Sequence, residues 1–318
     1  MAVRRQLDDI AAGDLVLVAC SGGADSLALL AAAAFEAPRA GLRVGAVTVD
    51  HCWSPDSGER AAAVAAVAQR LGAAPAIVMP APADRTEDAA RRTRYAALDT
   101  AAERFEASAI LLAHSLDDQA ETVLLGLARG SGARSLAGMP VHRGRYRRPL
   151  LGVRRDVLRA AVSAEGLVPW DDPANADRGF ARARARHDLL PALESALGPG
   201  VAEALARTAT LLRADADALD EWTRRVDPGT VDVAVEDLLA VPRAVRSRVL
   251  RAMALRAGAA GAALSATHVD AIEQLVTDWH GQGPVALPGH VQAVRRCGRL
   301  VVASGPPVGA VVSSDEES

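Results

Sequence analysis

Near-continuous apolar runs occupy positions 15–19, 44–49, 76–79 and 110–113, and helical patterns fill the stretches between and after them at 26–35, 58–71, 86–106 and 117–128. The runs lack strict apolar–polar alternation, so they read as strands buried on both faces of a sheet. Strand and helix in strict alternation predict an α/β fold with a doubly wound parallel sheet. Ligands of such sheets bind beyond the carboxyl ends of the strands. The polar groups at those ends are Ser21, Asp50, His51 and His114. Downstream the pattern changes. Pro191 after Leu189-Leu190 reads as the close of the first domain, 201–225 as one long connecting helix, and 236–257 as further helix. Short apolar runs at 285–287, 291–294 and 299–302, the first two separated by a Pro288-Gly289 turn, predict strands of a small α+β domain. The expected organisation is 1–195, a connector 196–225, a C-terminal domain 226–303, and a disordered Gly/Pro/Ser/acid tail 304–318.

Ser21-Gly22-Gly23-Ala24-Asp25-Ser26 lies between the first strand and the first helix. The glycines free the backbone to turn its N–H groups toward an anion, and the helix start adds partial positive charge. Ser21 and Ser26 offer hydroxyls, and Asp25 can hold a magnesium ion on bound phosphates. The rival phosphate loop, Walker A, needs a lysine before its Ser/Thr. All 36 basic residues of this chain are arginine, which excludes it.

Composition adds limits. No apolar run approaches the ~20 residues of a membrane span, and no signal region follows Met1, so a cytoplasmic protein with no membrane partner is expected. Cys20, Cys52 and Cys297 have neither disulfide nor zinc spacing. The net charge of −3 gives no global nucleic-acid signal, but the segment 143–186 carries 11 Arg against 5 acids, with Tyr146, Trp170 and Phe180 interleaved. That local pattern suits a nucleic-acid backbone with stacked bases, and Arg182, Arg184, Arg186 and His187 are its densest part.

The second constellation is His114-Ser115-Leu116-Asp117-Asp118-Gln119-Ala120-Glu121. Asp117 and Asp118 suit a helix start, and helical spacing lets both share a face with Glu121. Beside a phosphate loop these acids need a cation, either magnesium or an ammonium group. Arg91 and Arg94 share a face of the preceding helix and can reach phosphates, while Gly130-Ser131-Gly132 reads as a helix end.

The Ser21 loop resembles that of the PP-loop ATP pyrophosphatases. The wider set resembles the tRNA(Ile)-lysidine synthase family: Val49-Asp50-His51, Ala90 to Tyr95, Ala113 to Thr122, Arg129 to Gly132, Gly138-Met139, Arg148-Pro149-Leu150-Leu151, Asp172-Pro173-Ala174-Asn175, Arg186-His187 and Leu190-Pro191. The resemblance covers about 13–195 and, more faintly, the Leu287-Pro288-Gly289 region. It implies adenylation by ATP and Mg2+ of the wobble cytidine in a CAU-anticodon isoleucine tRNA, then attack by free L-lysine, giving lysidine, AMP and pyrophosphate. Decoding then shifts from AUG to AUA, and charging from methionine to isoleucine.

On this resemblance Ser21, Gly22, Gly23, Ala24, Asp25 and Ser26 hold phosphates, with Asp25 on the metal, and Asp50 and His51 lie at the adenosine. Asp118 and Glu121 bind and help deprotonate the lysine amine, and His114 and Arg94 stabilise charge during adenylation. Arg148, Arg182, Arg184, Arg186 and the C-terminal domain grip the tRNA. A homodimer is open. The chain departs from the family pattern at Ser115, where a second histidine is common, at Ala183, where asparagine is common, and at Cys52-Trp53. The rivals are a tRNA-thiolating relative, which needs a catalytic cysteine or iron–sulfur site, an amidotransferase, which needs a glutaminase, and an inactive tRNA-binding protein.

Overall fold

The computed structural model describes residues 1–84, 86–130, 132–171 and 177–305. The expectations for Ser131, for Asp172 to Asn175 and for most of the tail lie outside these. The chain divides into two compact units, 1–213 and 214–318.

The first unit opens with β1 (Leu15–Ala19), α1 (Ala24–Arg39), β2 (Arg43–Asp50), α2 (Ser57–Arg70), β3 (Ala76–Pro80), α3 (Glu87–Arg104), β4 (Ala107–Leu111) and α4 (Leu116–Ala128). It continues through α5 (Ala133–Leu136), the hairpin β5 (His142–Arg143) and β6 (Tyr146–Arg147), α6 (Arg155–Ala164), α7 (Ala181–Arg184), α8 (Leu190–Leu197) and α9 (Val201–Val226). The unit boundary falls within α9.

Six strands form one sheet in the order β3-β2-β1-β4-β6-β5. All neighbours are parallel except the β5–β6 hairpin. The strand order reverses between β1 and β4, which opens a crevice beyond their carboxyl ends. The phosphate loop follows β1 there and α4 follows β4.

Strand β1 shows why the sheet needs cover on both faces. Val16 and Val18 pack into one cluster with Leu27, Leu30, Leu158 and Val162 of α1 and α6. Leu15 and Leu17 point the other way, to Leu98, Ala101 and Ala102 of α3. All four β1 side chains are buried.

The second unit holds β7 (Asp232–Ala234), α10 (Val235–Leu239), α11 (Arg243–Arg256), α12 (Ala266–Thr277), β8 (Val285–Leu287), β9 (Val291–Arg296) and β10 (Arg299–Ser304). Its antiparallel sheet runs β7-β10-β9-β8 around a core that includes Leu250, Met253, Ile272, Leu275 and Leu300.

The structure departs from the periodicity in four places. The helix expected over 236–257 is two helices, because Pro242 has no N–H to continue the first; it stands at the N-cap of α11. The fourth strand starts earlier, at Ala107, after Glu106 turns the chain with φ +52°. Pro191 sits in the first turn of α8. Helices α6 and α12, the β5–β6 hairpin and β7 are additions.

Candidate active site

The phosphate loop is built around Gly22 and Ser26. Gly22 has φ +85°, and a Cβ on it would lie 2.5 Å from Val64 Cγ2, so both conformation and space exclude a side chain. Gly23 is the N-cap of α1 and is open by comparison. The buried Ser26 hydroxyl donates to Gly23 O at 2.9 Å and accepts from the Ser21 N–H at 3.2 Å, closing the loop on itself. The Trp170 N–H donates to Gly22 O at 2.9 Å, pinning the loop from outside.

Helix α4 carries the acids. Its other face packs Leu116, Ala120 and Leu124 against Leu190 and Ala202, which fixes its roll. Ser115, where the family often has histidine, is fully buried and N-caps the helix. Its hydroxyl and its N–H donate to Asp118 Oδ2 at 3.0 and 2.9 Å, a capping box that sets the Asp118 rotamer.

The cations that these acids need come from the chain itself. Arg155 Nη2 and Arg186 Nη2 donate to Asp118 Oδ1 at 2.8 and 3.1 Å. Glu121, with no exposed surface, accepts from Arg186 Nε at 2.8 Å and Arg182 Nε at 3.0 Å, and more loosely from Arg155 at 3.3 Å. Burial alone would raise the Asp118 carboxyl; Arg155 and Arg182 outweigh it and hold the group below its ordinary value.

Asp25, in the first turn of α1, joins this cluster through Oδ2, which accepts from Arg155 Nε at 3.3 Å. Its Oδ1 is buried with no hydrogen-bond partner among the described residues. Burial pushes Asp25 above its ordinary value, Arg155 pulls it back, and the nearby Asp118 charge adds to the rise. An acceptor oxygen held beside the phosphate loop with nothing donating to it fits a cation ligand. Asp117 does not share the cluster. Its Oδ2 accepts the Arg155 N–H at 2.8 Å and so caps α6, because the helix turns it away from Asp118 and Glu121.

His114, after β4, has a buried Nδ1 with no hydrogen-bond partner among the described residues. Burial pushes the ring down to about 3, against the pull of Asp118, so it is neutral near pH 7. It therefore offers a hydrogen bond and not a positive charge of its own. After β2, Asp50 Oδ1 accepts the Cys52 N–H at 2.9 Å, His51 Nδ1 lies 3.2 Å from Ala81 O, and the His51 and Trp53 rings stack at 5.2 Å. Arg94 is exposed on α3, and its charge acts on His51. Arg91 lies over the Tyr95 ring at 5.0 Å.

The arginines grouped by sequence separate in space. Arg182 and Arg186 are one helical turn apart and both face α4. Arg184, between them, is exposed and donates to Arg178 O at 2.8 Å and Gly179 O at 3.0 Å. Arg148 is 2% exposed and donates to Pro140 O and the Tyr95 hydroxyl, so it holds the protein together and does not line a surface. The structure thus gathers Asp25, Asp118, Glu121, Arg182 and Arg186 in one network, and leaves Asp50, His51, Arg94, Arg148 and Arg184 outside its hydrogen bonds. Arg155, absent from the sequence-derived candidates, is at its centre. Its signal was the start of α6, where Leu158 and Val162 recur at helical spacing behind Arg154-Arg155-Asp156.

Comparison with known proteins gives consistent matches. A family model described as PP-loop domain matches residues 2–193, and one described as TilS substrate binding domain matches residues 234–301. A tRNA(Ile)-lysidine synthase of Thermobifida fusca is 53% identical over 310 residues, covering 95% of this chain and 96% of the relative. One from Streptomyces coelicolor is 54% identical over 301 residues, covering 92% and 86%. Among solved structures, the U34-tRNA thiolase NcsA from Methanococcus maripaludis with its 4Fe-4S cluster aligns at TM-score 0.54 and 17% identity, over 67% of this chain and 76% of that one. That likeness speaks to the fold alone. Identity above one half along nearly the whole length, with the phosphate loop in its expected place, makes this chain a member of the tRNA(Ile)-lysidine synthase family.

Proposed function

We propose that this chain joins free L-lysine to C2 of the wobble cytidine in a CAU-anticodon isoleucine tRNA, using ATP as the activating reagent. The C2 carbonyl oxygen attacks the α-phosphate of ATP, and pyrophosphate leaves. A lysine amino group then attacks C2. AMP departs with that oxygen, and the nitrogen loses a proton. The observation that carries this reading is the meeting of a phosphate loop with a buried acid pair in one hydrogen-bonded cluster, since the reaction needs both a nucleotide and an amine nucleophile.

Each residue has a task in this scheme. The loop amides and the start of α1 receive the phosphates. Asp25, through its unpartnered Oδ1, would hold Mg2+, which would supply neutralising charge to them. Asp118 and Glu121 receive the lysine ammonium and favour its loss of a proton. The ammonium enters by replacing a guanidinium, because arginines fill both acids in the free site. Neutral His114 donates a hydrogen bond toward charge developing at the α-phosphate, and Arg94 adds positive charge near the nucleotide. Arg184 and the second unit grip the tRNA. The setting is the cytoplasm, where these substrates occur; no helix among the described residues is long and apolar enough to cross a membrane.

A thiolating reaction needs a reactive thiolate. Cys20 is buried, and burial pushes its thiol up, while its Sγ lies 3.7 Å from the Ser26 hydroxyl. The test of the proposal is pyrophosphate release in the presence of ATP, magnesium and the CAU-anticodon tRNA. The wild-type chain releases it only with tRNA present, and Asp25→Ala abolishes the release. Substantial turnover by Asp25→Ala would refute the role of the loop acid.

A further inference from the structure

Arg155 is placed between the two halves of the proposed chemistry. Its Nε donates to Asp25 on the phosphate loop at 3.3 Å. Its Nη2 donates to Asp118 Oδ1 at 2.8 Å, and Nη1 and Nη2 lie 3.4 and 3.3 Å from Glu121 Oε1. Arg182 and Arg186 bond to groups of α4 and do not share the contact with Asp25. The Arg155 main chain is fixed, with its N–H on Asp117, so the side chain can move while its anchor stays.

The charges of this cluster balance, as Asp25, Asp118 and Glu121 face Arg155, Arg182 and Arg186. The balance is not uniform. The bond to Asp25 sits beyond the usual N–H···O range, as do the two from Arg155 to Glu121, and the second Asp25 oxygen has no donor among the described residues. Glu121 keeps Arg182 and Arg186 when Arg155 leaves, whereas Asp25 is held by this one long contact, which a cation can replace.

We propose that Arg155 is a positioning residue that couples the two small substrates. It holds the phosphate loop and the acid pair together in the resting site. It leaves Asp25 when ATP and its magnesium ion bind, and so raises the affinity for lysine. A divalent cation on Asp25 repels the guanidinium, and the phosphates attract it. Its withdrawal unloads Asp118 Oδ1 and Glu121 Oε1, the two oxygens that it shares with Arg186, and these become available to an ammonium group. By linkage, lysine raises the affinity for ATP by the same factor.

This rests on the reading that lysine sits on Asp118 and Glu121, and the test separates the two. Calorimetry measures lysine binding to the full chain with and without magnesium and a non-cleavable ATP analogue. In the wild type the nucleotide tightens lysine about tenfold, within the usual range of site coupling. Arg155→Met binds lysine with the same affinity in both conditions, and Arg155→Lys restores part of the nucleotide effect. Melting curves of both variants establish that they fold. The coupling is overturned if Arg155→Met keeps the wild-type nucleotide effect, or if the wild type has none. If lysine does not bind, or binds Asp118→Asn as tightly as the wild type, the amine site itself is elsewhere and the proposal falls with it.

Discussion

Replacing Glu121 by Gln removes one charge and no volume from the most buried point of the site. Glu121 has no exposed surface, and both oxygens are occupied: Oε1 by Arg186 and Arg155, Oε2 by Arg182 and Arg186. A carboxamide keeps one acceptor. Its NH2 must face guanidinium N–H groups on the other side, so at least one charge-assisted bond is replaced by opposed donors. Breaking a buried ion pair by removing one partner costs about 3–5 kcal/mol. The three guanidiniums here are partly solvated, with side chains 16–27% exposed, so the loss falls at the lower end, about 3 kcal/mol. For a unit of this size that is a fall in melting temperature of about 6–12 °C. Thermal melting by circular dichroism reads it directly. A shift below about 2 °C would refute the argument that Glu121 is the electrostatic anchor of the cluster.

The remaining predictions concern the loop, the arginines and the histidine. Gly22→Ala forces φ +85° on a residue with a Cβ 2.5 Å from Val64, so nucleotide affinity drops more than about tenfold, whereas Gly23→Ala changes it little; equal losses in calorimetry would contradict the geometry. Arg184→Ala weakens tRNA binding in a filter assay and leaves ATP affinity and melting unchanged, while Arg182→Ala lowers the melting temperature because Glu121 loses a partner. Loss of both ligands in Arg184→Ala would make that segment structural. His114 is held near 3 in the fold and returns to about 6.5 on unfolding, so the unfolded chain binds the extra proton. Its contribution is intact above about pH 6.5 and is lost as pH falls toward 3, about 2–4 kcal/mol in all for a partly solvated ring. His114→Asn flattens that stretch of the stability–pH curve, and an unchanged curve would show that the ring titrates normally.

The first sheet was legible because its strands are buried on both faces. A strand such as Leu15–Ala19 has no polar position to blur the signal, and the reversal that opens the crevice follows from strand order. The phosphate loop was legible because Gly22 answers a local steric need. The identity of the cations at the acid pair was not. The spacing of Asp118 and Glu121 announces a shared cation, but Arg155, Arg182 and Arg186 lie more than thirty residues downstream, and only tertiary packing brings them back. The basic segment misled for the same reason. A count of arginines cannot separate Arg182 and Arg186, turned inward by an i,i+4 spacing, from Arg184 on the opposite face. Arg148 shows the same effect, since its position after β6 buries it. Pro242 is visible in the sequence, but the apolar positions on either side keep a helical period, so the pattern alone reads as one longer helix.

The central claim is that this chain makes a carbon–nitrogen bond between lysine and a tRNA base. The most direct measurement is mass spectrometry of a nucleoside digest after incubating the purified protein with ATP, magnesium, isotopically labelled L-lysine and a CAU-anticodon isoleucine tRNA. Label in the wobble cytidine, as lysidine, is the predicted result. ATP split to AMP and pyrophosphate with no label in that base would contradict the claim and assign the adenylated intermediate to a different nucleophile.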